Sequence, residues 1–453
     1  MRLFNHLKTF SKGGIHPDPS KITAGMPITP LTAPRTVKVL LSQHIGAPAK
    51  CIVKPKQHVA AGEKIGEAQG FVSAPVHSPI AGTVKKIELV RDGQGLWKEA
   101  VVIEASDDDA PFTLDFNESD PLRSDEEIRS LSPADITAIV GEAGIVGLGG
   151  ASFPTRVKLS IPEGKSADTF IINGAECEPF LTCDDALMRA FAPRILEGVA
   201  LLMRAAGTPR AIVGIEANKP EAIAAMKKAA KDYNGSISVE ALRTAYPQGS
   251  EKQLIYALTR RTVPAGGLPV DAHVVVDNVA TAFAVYRAVR FGEPLTRRVA
   301  TVTGPAMQAP GNYIACTGMD AAALIEQAGG TPDNTGKIIA GGPMMGRAMC
   351  RPDSPLTKSS GGLLLLPADM SRRGHSEACM RCATCISACP MGLEPYLLQT
   401  LGEFSRPEEA RDAGVMNCLE CGSCSYVCPS HRPILDYIRL AKQQVRALPK
   451  ENK

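Results

Sequence analysis

Two cysteine runs near the end of the chain carry the most specific chemistry. Each reads C-x-x-C-x-x-C-x-x-x-C-P: Cys379, Cys382, Cys385, Cys389 and Pro390, then Cys418, Cys421, Cys424, Cys428 and Pro429. This is the bacterial ferredoxin spacing for a pair of 4Fe–4S clusters. Three thiolates at steps of three wrap one face of a cubane from a tight loop, and the fourth cysteine starts a turn that points at the other cluster. Cys379, Cys382, Cys385 and Cys428 are therefore assigned to one cluster, and Cys418, Cys421, Cys424 and Cys389 to the other. The proline after each fourth cysteine removes a backbone donor and breaks the local helix. Small residues beside the thiols (Ala383, Gly422 and Ser423) leave main-chain amides free to approach cluster sulfurs. Structural zinc is the competing reading, but zinc sites usually gather two Cys pairs, or Cys and His pairs, around one ion. Two complete four-cysteine runs favour iron and sulfur, and with them one-electron transfer.

A second region offers a cofactor cradle. Gly144, Gly147, Gly149 and Gly150 form a loop nearly without side chains, and Lys158 follows just downstream. Bare amides in such a loop can approach a phosphate closely. The pattern is neither the Rossmann G-x-G-x-x-G nor a Walker A loop. Next, the apolar run 169–172 reads as a strand ending at Asn173. It would deliver Asn173, Glu176 and Glu178 at a carboxyl end, where α/β sheets bind ligands. A solvated acidic loop is the competing reading; Pro179 and the acidic pair Asp184 and Asp185 weaken it. Cys51, Cys177, Cys183, Cys316 and Cys350 are scattered and read as reduced, packed thiols.

The elements that position these residues are legible in outline. Ser132 as a cap and Pro133 at the first helical position predict a helix leading into the glycine loop. Residues 53–66 and 78–87 look like the two halves of a biotinyl/lipoyl-type barrel-sandwich, with short alternating strands and glycine turns. The carrier lysine of such modules is missing, so the module is read as a scaffold. His58 and His77 are read as surface or turn histidines. Residues 297–350 look like a β-grasp module of the soluble-ligand-binding type, whose expected role is packing. Residues 106–127, with Asp107, Asp108 and Asp109, read as an exposed acidic linker.

Composition bounds the function. A chain of 453 residues suggests three or four domains. Apolar residues make up 44% and charged residues 21%, so global disorder is excluded. A formal net charge of +3 gives no nucleic-acid signature. No apolar run approaches the roughly 18 residues of a membrane-spanning helix, and the opening MRLFNHLKTFSKGG lacks the apolar core of a secretory signal. Eight of the 13 cysteines fall in the two runs, which fits metal ligation in a reducing compartment rather than a disulfide scaffold. The first 60 residues carry nine basic side chains (Arg2, Lys8, Lys12, Lys21, Arg35, Lys38, Lys50, Lys54 and Lys56) against one acid, Asp18. Arg439, Lys442, Arg446 and Lys450 follow near the end. These charges are either solvated or docking groups for acidic partners or anionic lipid.

The segments GLGGASFPTRVKL and NGAECEP resemble the flavin loop of the NADH-oxidising flavoprotein subunit of respiratory complex I. Tyr246-Pro-Gln-Gly-Ser-Glu251 and Val276-Asp-Asn-Val-Ala-Thr281 resemble two further segments of that family, in the same order. With the Gly13-Gly-Ile-His-Pro17 start and both cysteine runs, nearly the whole chain is similar to the RnfC family, a component of the Rnf ion-translocating electron-transport complex. The resemblance implies bound FMN, NADH as substrate and two 4Fe–4S clusters. It places Gly147, Gly149, Gly150 and Ala151 beside FMN, Lys158 at its phosphate or ring edge, Asn173 at its polyol or ring, and Asn278 near the phosphate. Phe153 would stack on the adenine of NADH, and Glu178 and Glu251 would hydrogen-bond the nucleotide. Glu176, Tyr246, Gly249 and Thr281 complete the cofactor-lining set. Ala175, Ser250 and Ile161 depart from the complex I pattern.

The implied architecture is a mixed α/β and β multidomain chain. A basic segment with a barrel-sandwich spans 1–125, an α/β FMN- and NADH-binding domain 126–295, a β-grasp module 296–350 and a two-cluster ferredoxin-like helical tail 351–453. The implied function is that of a peripheral subunit on the cytoplasmic face of the bacterial inner membrane. It would exchange electrons among NADH, FMN and the clusters, with partner subunits moving Na⁺ or H⁺ and one of them reaching ferredoxin. The alternatives are a soluble NADH-dependent flavin/iron–sulfur reductase, corrinoid-reductase-like, and a zinc-stabilised scaffold. The chemistry agrees with the first: NADH gives up electrons as a pair and a cluster takes one, so a flavin must stand between them.

Cys382→Ala should remove one cluster, hence about half the iron, and leave reduction of bound flavin by NADH intact. Iron assay and spin resonance measure the first outcome, and flavin bleaching the second.

Overall fold

The computed structural model describes residues 7–106, 112–305 and 307–449. Arg2, Asp107, Asp108, Asp109 and Lys450, used in the sequence reading, lie outside these residues.

Near-continuous apolar runs suit parallel strands buried on both faces. The centre of the chain forms such strands: Thr169–Gly174, Ala211–Glu216, Ile237–Leu242 and Val274–Asn278, all parallel. In space the sheet runs Ile237–Leu242, Ala211–Glu216, Thr169–Gly174, Val274–Asn278. Its winding direction therefore reverses between the last two strands, and ligands of open α/β sheets bind at the carboxyl ends of strands at such a reversal. Phe170, Ile171 and Ile172 are fully buried in the sheet. The helices Cys183–Ala206 and Val279–Phe291 pack on one another. At their closest approach a Cβ on Gly198 would stand 1.9 Å from the Ala282 carbonyl oxygen, so glycine is required there. The helix Pro133–Glu142 starts where the sequence indicates, with the Ser132 hydroxyl accepting from the Asp135 amide.

Upstream lie two antiparallel sheets. One orders Thr36–Leu40, Trp97–Glu104, Gly82–Arg91 and His58–Val59; the other orders Lys50–Cys51, Lys64–Glu67 and Val76–His77. Val37, Val39, Val59, Ile65, Val76, Val84, Val101 and Ile103 fill one core between them, and Ala300, Val302, Ile314 and Leu363 of the β-grasp module continue it. The barrel-sandwich thus shares one core with its neighbour.

The sheet that holds the β-grasp strands extends past residue 350, where the sequence reading ends that module. It takes in Gly362–Pro367, which pairs with both Arg297–Thr303 and Thr335–Ala340. It also takes in Ile28–Thr29 as an edge strand beside Gly311–Cys316. Leu363, Leu364 and Leu365 are buried there. Their pairing partners are remote in sequence, so a local reading assigns the run to the next module.

The tail packs the helices Pro395–Glu403, Pro407–Asp412 and Ile434–Ala447 around Leu398, Leu401, Ala410, Ile434 and Ile438. The first segment does not stay with the barrel-sandwich. Ile15 bridges to Tyr246 of the central domain, and the Gly14 amide donates to the Ala388 carbonyl at 3.0 Å. A Cβ on Gly13 would meet the Cys389 carbonyl oxygen at 2.5 Å, so the chain passes hard against a cysteine run. Part of its basic charge is used internally: Lys8 pairs with Glu240 at 3.3 Å and Lys38 with Asp320 at 2.8 Å, while Lys21 turns inward.

One fully buried cation ties three of these parts together. Lys358 donates from Nζ to the carbonyls of Pro75 at 2.9 Å and Gly144 at 2.7 Å. Burial lowers its pKa to about 7. His77 is buried beside it rather than at the surface; burial first, then Lys358, pushes its imidazole down to about 3.

Lys358 titrates near 10.5 unfolded and about 7 folded. The unfolded chain therefore binds more protons between those values, and the cost of the buried charge shrinks as pH rises through that window. Wild-type stability is expected to gain on that of Lys358→Met between about pH 7 and about pH 9.5. Denaturant midpoints at the two pH values measure this; parallel shifts would contradict it.

Candidate functional site

The glycine loop lies over the reversal point of the sheet. A Cβ on Gly149 would touch the Asn278 side chain at 3.3 Å, and one on Gly147 would stand 3.5 Å from Lys158 Nζ. Gly149, Gly150 and Ala151 are exposed, and Phe153 is half-buried. The loop is pinned from below. The Leu148 amide donates to Thr281 Oγ1 at 2.9 Å and the Gly147 amide to the Phe153 carbonyl at 2.8 Å. Lys158, on the short helix Thr155–Leu159, donates to the Val276 carbonyl at 2.9 Å and lies 3.4 Å from Asp277 Oδ1. Asp277 Oδ2 is buried without a hydrogen-bond partner among the described residues. An open cradle of main chain, a lysine and an unpartnered buried oxygen fit a phosphate-bearing, hydrogen-bonding cofactor such as FMN.

The strand ends converge on the same crevice. Asn278 caps the helix Val279–Phe291 by accepting from the Ala280 amide, and its Nδ2 donates to Asp184 Oδ2 at 2.7 Å. Asn173 Nδ2 donates to the Gly249 carbonyl at 2.8 Å, and the Gly249 amide to Cys177 Sγ at 3.3 Å. Glu251 opens the helix Glu251–Thr259 beside Lys158 and Asp277, its carboxyl pKa raised chiefly by burial.

The acidic loop is more structural than its sequence suggests. Glu176 is half-buried and accepts from the Asp184 amide at 2.7 Å and the Asp185 amide at 3.3 Å, at the start of the helix Cys183–Ala206. Burial pushes its pKa up to about 7. Beneath it stand two lysines that the sequence reading did not place here. Lys21 Nζ donates to the carbonyls of Glu176 and Glu178, each at 2.9 Å, and to that of Leu181. Lys219 Nζ donates to the Ala175 carbonyl at 2.7 Å. Lys21 comes from the first segment, 155 residues from Glu176, and nothing in its local sequence marks it. The Glu178 carboxylate meets the amides of Met344 and Met345.

The cysteines gather in two groups. Cys389, Cys418, Cys421 and Cys424 line one hollow together with Leu393, Leu398, Leu435 and Ile438. Four thiols around an apolar void match the donor set of a cubane. Cys379 and Cys428 stand near Cys385; Cys379 and Cys382 are exposed. Cys389, the fourth cysteine of the first run, thus lies with the first three of the second, and Cys428 lies with Cys379 and Cys385 of the first. Both runs curl the same way: Arg381 and Ala383 in the first, and Glu420 and Gly422 in the second, have positive φ.

The inner group abuts this crevice. Tyr246 is buried, and its hydroxyl donates to the Cys421 carbonyl at 2.7 Å. Ile15, Tyr246, Ala388 and Cys421 form one apolar cluster with Cys177 and Met344 against it. Gln253 Nε2 reaches the Pro390 carbonyl at 3.4 Å.

Family models match four consecutive stretches. They are the RnfC barrel sandwich hybrid domain over residues 8–108, the Nuo51 FMN-binding domain over 140–287, the SLBB domain over 299–348 and a 4Fe-4S dicluster domain over 373–429. The chain is 42% identical to the C subunit of the proton-translocating ferredoxin:NAD(+) oxidoreductase complex of Clostridium ljungdahlii, over 97% of this chain and 95% of the relative. It is 39% identical to the C subunit of the Na(+)-translocating ferredoxin:NAD(+) oxidoreductase complex of Acetobacterium woodii, over 96% and 97%. It is 38% identical to the C subunit of the ion-translocating oxidoreductase complex of Rhodobacter capsulatus, over 97% and 84%. Among solved structures, an NAD+-reducing NiFe hydrogenase shares the fold at a TM-score of 0.50 and 20% identity, covering 73% of this chain and 66% of that one. An FMN-binding domain and a dicluster domain in one polypeptide, with relatives matched along almost their whole length, place the chain in the RnfC family of ion-translocating ferredoxin:NAD(+) oxidoreductase complexes.

Proposed function

We propose that this chain exchanges electrons between NAD(H), FMN and two 4Fe–4S clusters as the peripheral subunit of a membrane complex that moves Na⁺ or H⁺. The observation that carries this is the contact between the two sites: Tyr246 lies in the crevice region and bonds the Cys421 loop. Bound FMN supplies the step from paired to single electrons. The chain's own residues bind and orient. Main-chain groups of Gly147, Gly149, Gly150 and Ala151 receive the cofactor, Lys158 supplies positive charge, and Asp277 and Asn278 border it from the strand end. Phe153 and Glu251 face the nucleotide. Thr281, Asn173, Gly249 and Glu176 fix the walls.

Burial orders the two centres. The group of Cys389, Cys418, Cys421 and Cys424 is inner and touches Tyr246, whereas Cys379 and Cys382 are exposed. In this reading electrons pass between the crevice and the inner centre, then through the outer one to a partner subunit, which reaches ferredoxin. Among the described residues no helix is long and apolar enough to cross a membrane, which fits attachment through partners, here at the cytoplasmic face. The soluble corrinoid-reductase-like reading is not favoured, because the relatives that cover the chain are subunits of complexes.

Anaerobic titration with NADH tests the function: flavin absorbance should bleach and two cluster signals should follow by spin resonance. Lys158→Ala should weaken FMN retention by about tenfold, or about 1.4 kcal/mol, read as flavin per chain after gel filtration. Undiminished flavin in that variant, or iron-free wild-type material from an anaerobic preparation, would overturn the assignment.

A further inference from the structure

Glu178, expected at the nucleotide, is engaged elsewhere. Its Oε1 accepts from the Met345 amide at 2.7 Å and its Oε2 from the Met344 amide at 3.1 Å. These amides belong to residues 341–346, the turn between strands Thr335–Ala340 and Arg347–Ala348 of the β-grasp module. The turn fits this contact closely. A Cβ on Gly342 would stand 2.3 Å from Glu178 Oε2, and one on Gly346 would stand 2.2 Å from the Gly342 carbonyl oxygen. Side chains at these positions would force the turn off the carboxylate.

The other side of the turn meets a cysteine loop. A Cβ on Gly422 would stand 2.9 Å from the Met344 carbonyl oxygen, and Met344 packs with Tyr246 and Cys421. Tyr246 closes the ring: its hydroxyl bonds the Cys421 carbonyl and stands against Glu178. Hydrogen bonds to a carboxylate are about twice as strong as those between neutral groups, so Glu178 can anchor a turn that has little packing of its own.

We propose that Glu178 is a positioning residue for electron transfer between the flavin crevice and the centre held by Cys389, Cys418, Cys421 and Cys424. It latches residues 341–346, and that turn holds the Cys421 loop at a fixed distance from Tyr246. The inference rests on the electron-transfer function proposed above. It adds no reactant: each electron leaving the reduced flavin enters one cluster, and the latch sets only the gap between them.

Glu178→Gln and Gly342→Ala act on the two sides of the latch, and both are tested in the full chain with cofactors loaded. Flavin and iron contents should match wild type, and the KM for NADH should stay within about twofold. Cluster reduction after flavin reduction should slow by about tenfold or more, since small misplacements of reacting groups carry penalties of that order. Amides of residues 341–346 and of the Cys421 loop should exchange hydrogen faster. Wild-type cluster reduction rates in both variants would overturn the proposal. A raised KM for NADH with unchanged cluster reduction would also overturn it and return Glu178 to the nucleotide. Loss of all iron from both variants would overturn it too, as the mark of a general folding contact. Absence of flavin or iron from wild type would instead defeat the underlying function.

Discussion

A loop made of glycine has no side chains with which to hold its own shape, yet a cofactor cradle must be rigid. This chain solves the problem with buried cations bonded to main-chain carbonyls. Lys358 grips Pro75 and Gly144. Arg298 donates to the Lys358 carbonyl at 2.6 Å and to the Leu148 carbonyl at 3.3 Å, one residue past Gly147. Lys21 and Lys219 hold the acidic loop from below through the carbonyls of Ala175, Glu176, Glu178 and Leu181. A buried ammonium is costly to desolvate, but a buried carbonyl without a donor is costly as well. Each pairing relieves both, and Lys21, Arg298 and Lys358 arrive from outside the central domain, so these ties form only when the modules have docked.

That dependence explains how a multidomain chain achieves a fixed geometry between two redox sites. The barrel-sandwich and β-grasp modules share one core, and neither offers obvious redox chemistry of its own. Their loops nonetheless frame the crevice: the Ile45 amide donates to the Ser152 carbonyl at 3.3 Å, and Arg156 donates to the Phe71 carbonyl at 2.9 Å. Residues near the flavin loop are thereby tied to a rigid β scaffold.

What the sequence reveals follows from how local the signal is. The cysteine runs, the glycine loop, the Ser132 cap and the strand that carries Asn173 are codes written within a few residues, and each is legible. Asn278 and Thr281 are legible through their segment, although their tasks, capping a helix and pinning Leu148, emerge only in three dimensions. Lys21, Lys219 and Lys358 are not legible, because a lysine in sequence looks solvated and only tertiary docking buries it. The extra strand of the β-grasp sheet is hidden for the same reason: Gly362–Pro367 reads as a lone apolar run until Arg297–Thr303 and Thr335–Ala340 flank it. Glu178 is the subtler case, since its motif suggests a ligand contact while its carboxylate meets two amides of another module.

The two cysteine runs show how identical local code yields unequal sites. Both loops turn through left-handed residues at matching positions, Arg381 with Glu420 and Ala383 with Gly422. Tertiary context then separates them. Around the second run, Glu420 pairs with Arg439 at 3.1 Å and with Lys442 at 2.7 Å, and Lys442 donates to the Cys418 carbonyl at 2.9 Å. Tyr246 and Met344 press on the same region. Around the first run, Cys379, Met380, Arg381 and Cys382 face solvent. A duplicated sequence would by itself give two interchangeable centres. Burial of one against Tyr246 and exposure of the other give the pair a direction, with one end facing the central domain and the other facing outward.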